Sequence, residues 1–420
     1  VSSRRSGRAR WWRAGVVTVQ VLATLLSVAV LLGSGYAWAT YRSFKNGITR
    51  VNVIPQVVTT TDSNGHTTTV PLPNVDGTDQ NILIVGNDDR STATDAELKQ
   101  LGTTRDGGSL NTDTMMLLHV PADGSTATVI SFPRDSYVNI PGYGMNKLNA
   151  AYPDGVNDNN GSRAAGGALL VKTIEGLTGL KIDHYMQVDL LGFYRISMAV
   201  GPITVCMNGP MGPATSYGEV GNGYDSGFEP DGTFVYSYSG INLHKGNNKI
   251  RGLQALAFVR QRHGLPNGDL DRIKRQQYFL SAVFRKLVSG GFLLDLPKLN
   301  HLLSAFNRSV TMDQTLDPLK LAEQMQNLTA GNVRFATIPT QGFATEGSVG
   351  DVVVVDTAAM PAFIKSVINP PAVKPTTSTT PPTPTTSATS TAPATTTTPT
   401  TGASLGTPTV TTAAQAGCIN

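Results

Sequence analysis

Hydrophobic and polar positions fall into three regimes along the chain. Ala14 to Thr40 is an uncharged run rich in Val, Leu and Ala, flanked by Trp11, Trp12, Tyr36 and Trp38, and long enough to cross a bilayer. From Asn81 onward short apolar runs alternate with polar turns, as in a globular domain. Ile82 to Val85 predicts a buried strand opening into the polar loop Gly86-Asn87-Asp88-Asp89-Arg90. Met115 to Val120 and Ala127 to Phe132, joined by Ala122-Asp123-Gly124-Ser125, predict a hairpin. Further strands are expected at Tyr185 to Val188, Ile203 to Met207, Val333 to Ile338 and Asp351 to Val355. Helices are expected at Ala164 to Leu177, Arg251 to Ala257, Asp269 to Leu287, Pro297 to Phe306, Pro318 to Leu328 and Thr357 to Ile368. Strands and helices mixed on this scale predict a layered α/β domain. After Pro370 the composition collapses to Thr, Pro, Ser and Ala until about Ala414. Such a segment cannot bury a core and predicts a disordered or polyproline-like spacer with a reach on the order of 100 Å.

Charge sets the topology. Arg4, Arg5, Arg8, Arg10 and Arg13 precede the apolar run, which predicts a cytoplasmic N-terminus and everything after about Thr40 outside the membrane. Ala37-Trp38-Ala39 has the small-x-small form of a cleavage site, but the apolar run exceeds a usual signal-peptide core and favours an uncleaved anchor. The expected organisation is a basic leader over 1–13, a transmembrane anchor over 14–40, a tether over 41–78, an extracytoplasmic domain over 79–370 and a disordered tail over 371–420. Of the 33 Lys and Arg, eight lie in residues 1–50, which hold no acid, so 25 face 29 acidic residues downstream. The net charge of +4 therefore resides in the leader, and the sequence offers no broad basic surface for nucleic acid. Cys206 and Cys418 are the two cysteines. No metal-ligand spacing involves them, and both a disulfide tying the C-terminus to the domain and two unrelated thiols fit.

The densest chemistry lies between Phe258 and Phe279, FVRQRHGLPNGDLDRIKRQQYF. Arg260, Arg262, Arg272, Lys274 and Arg275 surround a turn containing Gly264, Pro266, Asn267 and Gly268, more cation than a core needs. An extended backbone over Val259 to Arg262, the expected form, puts Arg260 and Arg262 on one face, whereas a helix splays them apart. Asp269 reads as the N-cap of the following helix, with Ile273, Gln277, Leu280, Phe284 and Leu287 as its buried stripe. Arg272, Arg275 and Gln276 share a neighbouring face in the first turns, where backbone N–H groups and the helix dipole attract phosphate. A solvated basic helix is the plainer alternative.

Histidine is sparse, and no Ser-His-Asp order, His-Glu-x-x-His spacing or Walker A loop occurs. What remains is a pair of carboxylates at strand ends, Asp88 and Asp113, with the cations Arg90, Arg134, Lys147, Arg260, Arg262, Arg272 and Arg275. Carboxylates holding one hard cation while arginines clamp phosphate oxygens are what phosphoryl transfer requires, since its catalysis is mostly positioning and charge neutralisation. A turn or capping role is the structural alternative for either Asp.

Six motifs then occur in order: Asn81-Ile82-Leu83-Ile84-Val85-Gly86-Asn87-Asp88-Asp89-Arg90, Thr112-Asp113-Thr114-Met115-Met116, Ser131-Phe132-Pro133-Arg134-Asp135, Lys147-Leu148-Asn149-Ala150-Ala151-Tyr152, Ile182-Asp183-His184-Tyr185 and the Phe258 stretch. Together they resemble the LytR-CpsA-Psr family of cell-wall glycopolymer ligases over roughly residues 80 to 290. The resemblance implies a central mixed sheet flanked by helices, with a prenyl chain in an apolar pocket and a pyrophosphate at its mouth. It implies a phosphotransferase outside the cell, anchored in the membrane, moving a glycopolymer from an undecaprenyl-pyrophosphate carrier to a peptidoglycan hydroxyl. By the same resemblance Asp88 and Asp113 hold Mg²⁺, and Arg90, Arg134, Arg260, Arg262, Arg272 and Gln276 surround the pyrophosphate with Lys147 close by. The resemblance also implies that Asp269, a residue its capping role explains equally well, accepts the acceptor's proton, with Arg260 and Arg262 beside it. One position departs from the pattern: Asn111 stands where many members carry Arg two residues before the second metal Asp. Arg105 has no assigned place. A non-catalytic polyprenyl-phosphate or wall-polymer binder and a lipid pyrophosphatase leave nearly the same footprint. A DNA-binding regulator is disfavoured by the negative, extracytoplasmic downstream part.

Overall fold

Alternation with period two decides how the central sheet is buried. The computed structural model describes residues 38–208, 243–369 and 410–419, apart from 63, 65, 92, 102, 106–108, 262–264, 266, 290, 293, 294, 415 and 416, together with some helical positions before 38 and two short strands between 226 and 236. In chain order these residues give α1 (38–47), β1 (Thr49–Val51), β2 (Val57–Thr61), β3 (Thr67–Pro71), β4 (Gln80–Asp88), α2 (Asp95–Gln100), β5 (Ser109–Val120), β6 (Ala127–Phe132), β7 (Ser136–Ile140) and β8 (Gly144–Lys147). There follow α3 (Ala151–Asn157), α4 (Arg163–Thr178), β9 (His184–Val188), α5 (Leu190–Val200), β10 (Ile203–Met207), β11 (Gly227–Phe228), β12 (Phe234–Val235), β13 (Gly246–Ile250), α6 (Leu253–Arg260) and α7 (Asp269–Val288). The remainder is α8 (Leu296–Asn307), β14 (Val310–Asp313), α9 (Pro318–Gln324), β15 (Val333–Thr337), β16 (Thr340–Glu346), β17 (Gly350–Val355), α10 (Met360–Ile368) and β18 (Thr411–Thr412).

Eight strands form one mixed sheet in the order β1-β14-β9-β4-β5-β6-β15-β18. Leu83 and Val85 of β4, Met115 and Leu117 of β5, and Ile130 and Phe132 of β6 point to one face and pack with Tyr152, Leu170, Ile174 and Phe363 from α3, α4 and α10. Their sequence neighbours Ile82, Ile84, Met116, Leu118 and Val129 cover the opposite face. A third apolar cluster joins α5, α6 and α7 to the β10–β13 hairpin through Val200, Val205, Phe258 and Phe279. The expected mixed sheet flanked by helices is the observed architecture. A second, four-stranded sheet in the order β16-β17-β7-β8 leaves the main one just after β6.

Several expectations need correction. The tether over 41–78 is part of the fold, because β1 pairs in parallel with β14, Arg50 donates to the carbonyls of Asp313 and Leu316 at 2.7 Å each, and Val53 and Ile54 enter the main core. The tail over 371–420 also returns to the domain at its end. There β18 pairs with β15, Ala413 is fully buried, Ile419 bridges to Met207, and Cys206 and Cys418 form a disulfide. Residues 371–409 lie outside the described residues. So does most of the expected anchor over 14–40, and among the described residues no helix is long and apolar enough to cross a membrane. β4 runs on through Asp88, past irregular register at Asn87, where a polar loop was expected. α5 was not foreseen. It is short and mostly apolar, interrupted by Gly192, Arg195 and Ser197, and Asp189 caps it by accepting from the Gly192 N–H at 2.6 Å.

Candidate functional site

The site begins with two strand ends and one helix start. β4 finishes at Asp88 beside the opening residues of β5, which carry Asp113 and Thr114. α7 lies over this end of the sheet. Its Gln276 donates to Thr114 Oγ1 at 3.0 Å and its Arg272 donates to the Asp113 carbonyl at 3.1 Å. Deeper along α7, Gln277 donates to Ser131 Oγ at 2.9 Å and to the Ala336 carbonyl at 3.2 Å, which fixes the helix rotation against β6 and β15. Gln277 is thus buried as the stripe predicts, but Leu280 is 40% exposed.

Leu280 instead helps line a cavity of ≈ 270 Å³ between the sheet and helices α5, α6 and α7. Ile84, Met116, Phe193, Ile196, Leu256, Phe279 and Val283 make its walls apolar. The polar residues gather at the end where β4 stops and β5 starts: Asp88, Asp113, Arg260, Arg272 and Gln276. An apolar chamber with charge confined to one end suits an amphiphile whose head is anionic.

Asp88, Asp113, Arg260 and Arg272 each have a counter-charge. Asp88 receives a two-point contact from Arg90, at 2.9 Å from Nε and 2.6 Å from Nη2, and a third bond from Arg260 at 3.2 Å. Asp113 Oδ1 accepts from Arg134 at 2.6 Å, and Arg134 Nε reaches Asp135 at 3.4 Å. Asp269 and Arg272 form a buried ion pair, yet neither carboxylate oxygen of Asp269 accepts a hydrogen bond. Burial pushes the Asp113 carboxyl up, but Arg134, Arg272 and Arg260 outweigh it and hold the group below the usual carboxylate range. For Asp269 burial prevails over Arg272 and Arg134, and Asp135 and Asp113 add to it, so its pKa is raised. These two carboxyls share one neighbourhood and shift in opposite directions, which is how an acid–base pair of roles is set apart.

A hard divalent cation takes oxygen ligands, and Mg²⁺ in particular uses one or two carboxylates with phosphate and water completing the shell. Asp88 and Asp113 fit that donor set. They line one cavity, and Asp113 Oδ2 accepts no hydrogen bond from a described residue. Among the described residues no group of three His, Cys, Asp or Glu converges, so the carboxylates match such an ion in company with phosphate oxygens rather than as a complete cage.

The sequence-selected residues separate by position. Asp88, Asp113, Arg260, Arg272 and Gln276 come together on the cavity, with Arg134 and Asp269 one contact behind it. Arg90 is buried and braces Asp88 from the side, donating also to the Thr104 carbonyl at 3.0 Å. Lys147 ends β8, near Arg134 along the chain path, since Asn149 N–H donates to the Arg134 carbonyl at 2.9 Å. Arg262 lies outside the described residues. The extended geometry expected from Val259 onward is corrected: Val259 and Arg260 finish α6, and the backbone turns extended only at Gln261. Asp269 is likewise not the cap of α7. Gly268 holds that position, leaving Asp269 as the first helical residue. Arg275 turns away from Arg272. It is fully buried, donates to Gln261 at 2.8 Å and sits over the Phe258 ring at 5.4 Å, and burial lowers its guanidinium to about 10. Arg105 donates to the Ser91 and Ala93 carbonyls, at 3.1 and 2.7 Å, and so shapes the loop after Asp88. Asn111 is exposed near the start of β5. Sequence reasoning missed the α5 wall, for which Asp189 was the available signal.

Residues 49–366 match the LytR_cpsA_psr family. The chain belongs to the LytR-CpsA-Psr family. Among its members, the cell wall biosynthesis protein LcpA of Corynebacterium glutamicum is 38% identical over 309 residues, 68% of this chain and 55% of that relative. The chain thus spans little more than half of LcpA's length. The polyisoprenyl-teichoic acid–peptidoglycan teichoic acid transferase TagU of Oceanobacillus iheyensis is 30% identical over 262 residues, 62% of this chain and 67% of TagU. The solved structure of protein gbs0355 from Streptococcus agalactiae superposes with a TM-score of 0.50 at 23% identity, covering 70% of this chain and 88% of that one.

Proposed function

We propose that this LytR-CpsA-Psr chain is a membrane-anchored, extracytoplasmic, Mg²⁺-dependent phosphotransferase that moves a glycopolymer from an undecaprenyl-pyrophosphate carrier to a hydroxyl of peptidoglycan. The observation that carries the reading is the chamber itself: apolar walls ending in Asp88, Asp113, Arg260, Arg272 and Gln276. The isoprene units nearest the headgroup fill the apolar part, and the rest of the lipid leaves past Leu280, which is both cavity-lining and exposed. Arg260 and Arg272 then meet the pyrophosphate in a site sheltered from water, where guanidinium–phosphate bonds are strong. The similarity to TagU, a polyisoprenyl-teichoic acid–peptidoglycan teichoic acid transferase, supports the same substrate class.

When bound by Asp88 and Asp113, Mg²⁺ would neutralise phosphate oxygens and ease charge transfer onto the departing prenyl phosphate. The acceptor oxygen forms a new O–P bond at the glycan-bearing phosphorus while the bridging P–O bond breaks, its electron pair leaving with the prenyl phosphate. Asp269, with its raised pKa, takes the acceptor's proton. Arg272 holds it in place through their ion pair.

The test is the full chain in nanodiscs with a lipid-pyrophosphate oligosaccharide, Mg²⁺ and peptidoglycan fragments. A phosphodiester-linked glycan product is expected, and its formation should stop with EDTA. Tight lipid binding without product favours a binding module, whereas prenyl phosphate released without any acceptor favours a pyrophosphatase.

A further inference from the structure

We infer that the exposed face of the β7–β8 hairpin is the seat of the acceptor glycan, a second polysaccharide-binding surface distinct from the lipid chamber. The inference rests on the transferase reading for its choice of occupant and on four observations for its place. First, the hairpin grows directly out of the charged cluster: β7 starts one residue after Asp135, and the chain leaving β8 returns to the Arg134 carbonyl through the Asn149 N–H at 2.9 Å. Second, its two faces are chemically distinct. Val138 and Ile140 enter the main core, while Tyr137 and Asn139 turn the other way. The register sets Lys147 opposite Tyr137 and Met145 opposite Asn139, so these four share the outward face.

Third, the tip presents an aromatic ring in a held orientation. Gly142 and Gly144 both adopt positive φ, 88° and 81°, so the turn projects Tyr143 between them. Tyr143 sits at the edge where the tip meets α3: its hydroxyl donates to Asp158 at 2.6 Å and lies 3.3 Å from the Asp154 carbonyl, Asp158 pushes its pKa up to about 12, and the residue is still 40% exposed beside the strip. Anchored to α3, the ring stays fixed with an open face, on which a sugar's C–H face stacks while its hydroxyls bond to amides and ammonium groups of the strip. From Lys147 to Gly144 the strip runs about 10 Å at strand rise, so with the tip it is long enough for a polysaccharide rather than a single sugar.

Fourth, the direction fits in-line displacement. The departing prenyl phosphate lies on the chamber side of Asp113, so the attacking hydroxyl approaches from the opposite side. That side holds Arg134, Asp135 and Asp269, none of which lines the chamber, and beyond them the hairpin begins. The donor's lipid and the acceptor's glycan thus reach the phosphorus from opposite sides of one cluster.

The test compares wild-type full chain with Tyr143→Ala and Asn139→Ala, separately and together, with Tyr143→Trp as the conservative variant. Binding of undecorated peptidoglycan oligosaccharides and of a short-prenyl pyrophosphate donor is measured separately, then acceptor KM and kcat. We expect the double variant to raise acceptor Kd and KM roughly tenfold, about 1.4 kcal/mol, with donor Kd and kcat within about twofold, and Tyr143→Trp to restore acceptor binding. Unchanged acceptor affinity in the correctly folded double variant overturns the inference, as does a loss confined to the donor, which would assign the face to the donor's glycan. A wild type that binds the acceptor at this hairpin yet makes no product leaves the inference standing and removes the transferase reading.

Discussion

At the scale of single residues the site is a set of matched charges in which partners, more than burial, decide ionisation. Asp88 pairs with Arg90 and Arg260, and Asp113 with Arg134, so Asp88→Ala also leaves the buried Arg90 without its two-point partner and costs stability as well as turnover. In the proposed mechanism Asp88→Ala and Asp113→Ala lower kcat by about 100-fold or more, while equilibrium binding of the lipid donor, measured by fluorescence, stays within a few-fold of wild type. Asp269 behaves differently because its folded pKa is raised. As pH climbs, the unfolded form of such a group releases its proton first, so its contribution to stability is full below the usual 3.8 and is lost as pH rises through the folded value. Asp269→Asn is therefore expected to flatten this part of the Tm–pH curve and to gain stability relative to wild type near neutrality. The same variant should lose turnover, and it should lose the rise in rate with pH that a carboxylate base imposes.

At the scale of elements, α7 joins the charged strand ends to the apolar chamber. Its first turns present Arg272 and Gln276 to the strand ends, and its middle presents Phe279, Leu280 and Val283 to the chamber. Sequence periodicity located the helix to within one residue of its C-terminus, from Asp269 to Val288, because its apolar stripe is long and regular. It misassigned Leu280, since a helical stripe cannot say whether the apolar neighbour is protein or ligand. Val283→Trp should fill the chamber while leaving every charged residue in place. We expect the affinity for long- and short-prenyl donors alike to fall about tenfold or more and that for inorganic pyrophosphate to change little, by calorimetry on the three ligands. α5 carried a local signal of its own and was passed over: Asp189 caps it, and Arg195 and Met198 mark its open side.

At the scale of the whole molecule, the two ends of the chain are structural. β1 extends the sheet at one edge and β18 closes it at the other, so neither edge strand of the unadorned domain is left for non-specific pairing. The Cys206–Cys418 disulfide closes a span of 212 residues and clips the C-terminal segment beside the β10–β13 hairpin. Arg285 of α7 also donates to the Ala413 carbonyl, which ties that segment to the helix carrying Arg272. Replacing both cysteines with serine should cost about 2–5 kcal/mol and lower Tm on the order of 10 °C, read by thermal unfolding against wild type under reducing and oxidising conditions. A variant with unchanged Tm would mean that β18 pairing alone retains the segment.

The sequence by itself determined the elements whose signal is local: the β5–β6 hairpin with its turn, the long amphipathic α7, and the order of carboxylates and arginines along the chain. Which of those charges meet was decided by tertiary structure, because sheet order places β4 between β5 and β9 and brings residues far apart in the chain to one strand end. The same holds for Arg275, whose position in the chain beside Arg272 and Gln276 suggested phosphate, yet whose side chain is taken by Gln261 and the Phe258 ring. Periodicity fixes which face of an element is apolar. Only packing between elements fixes what that face meets, and here part of it meets a cavity.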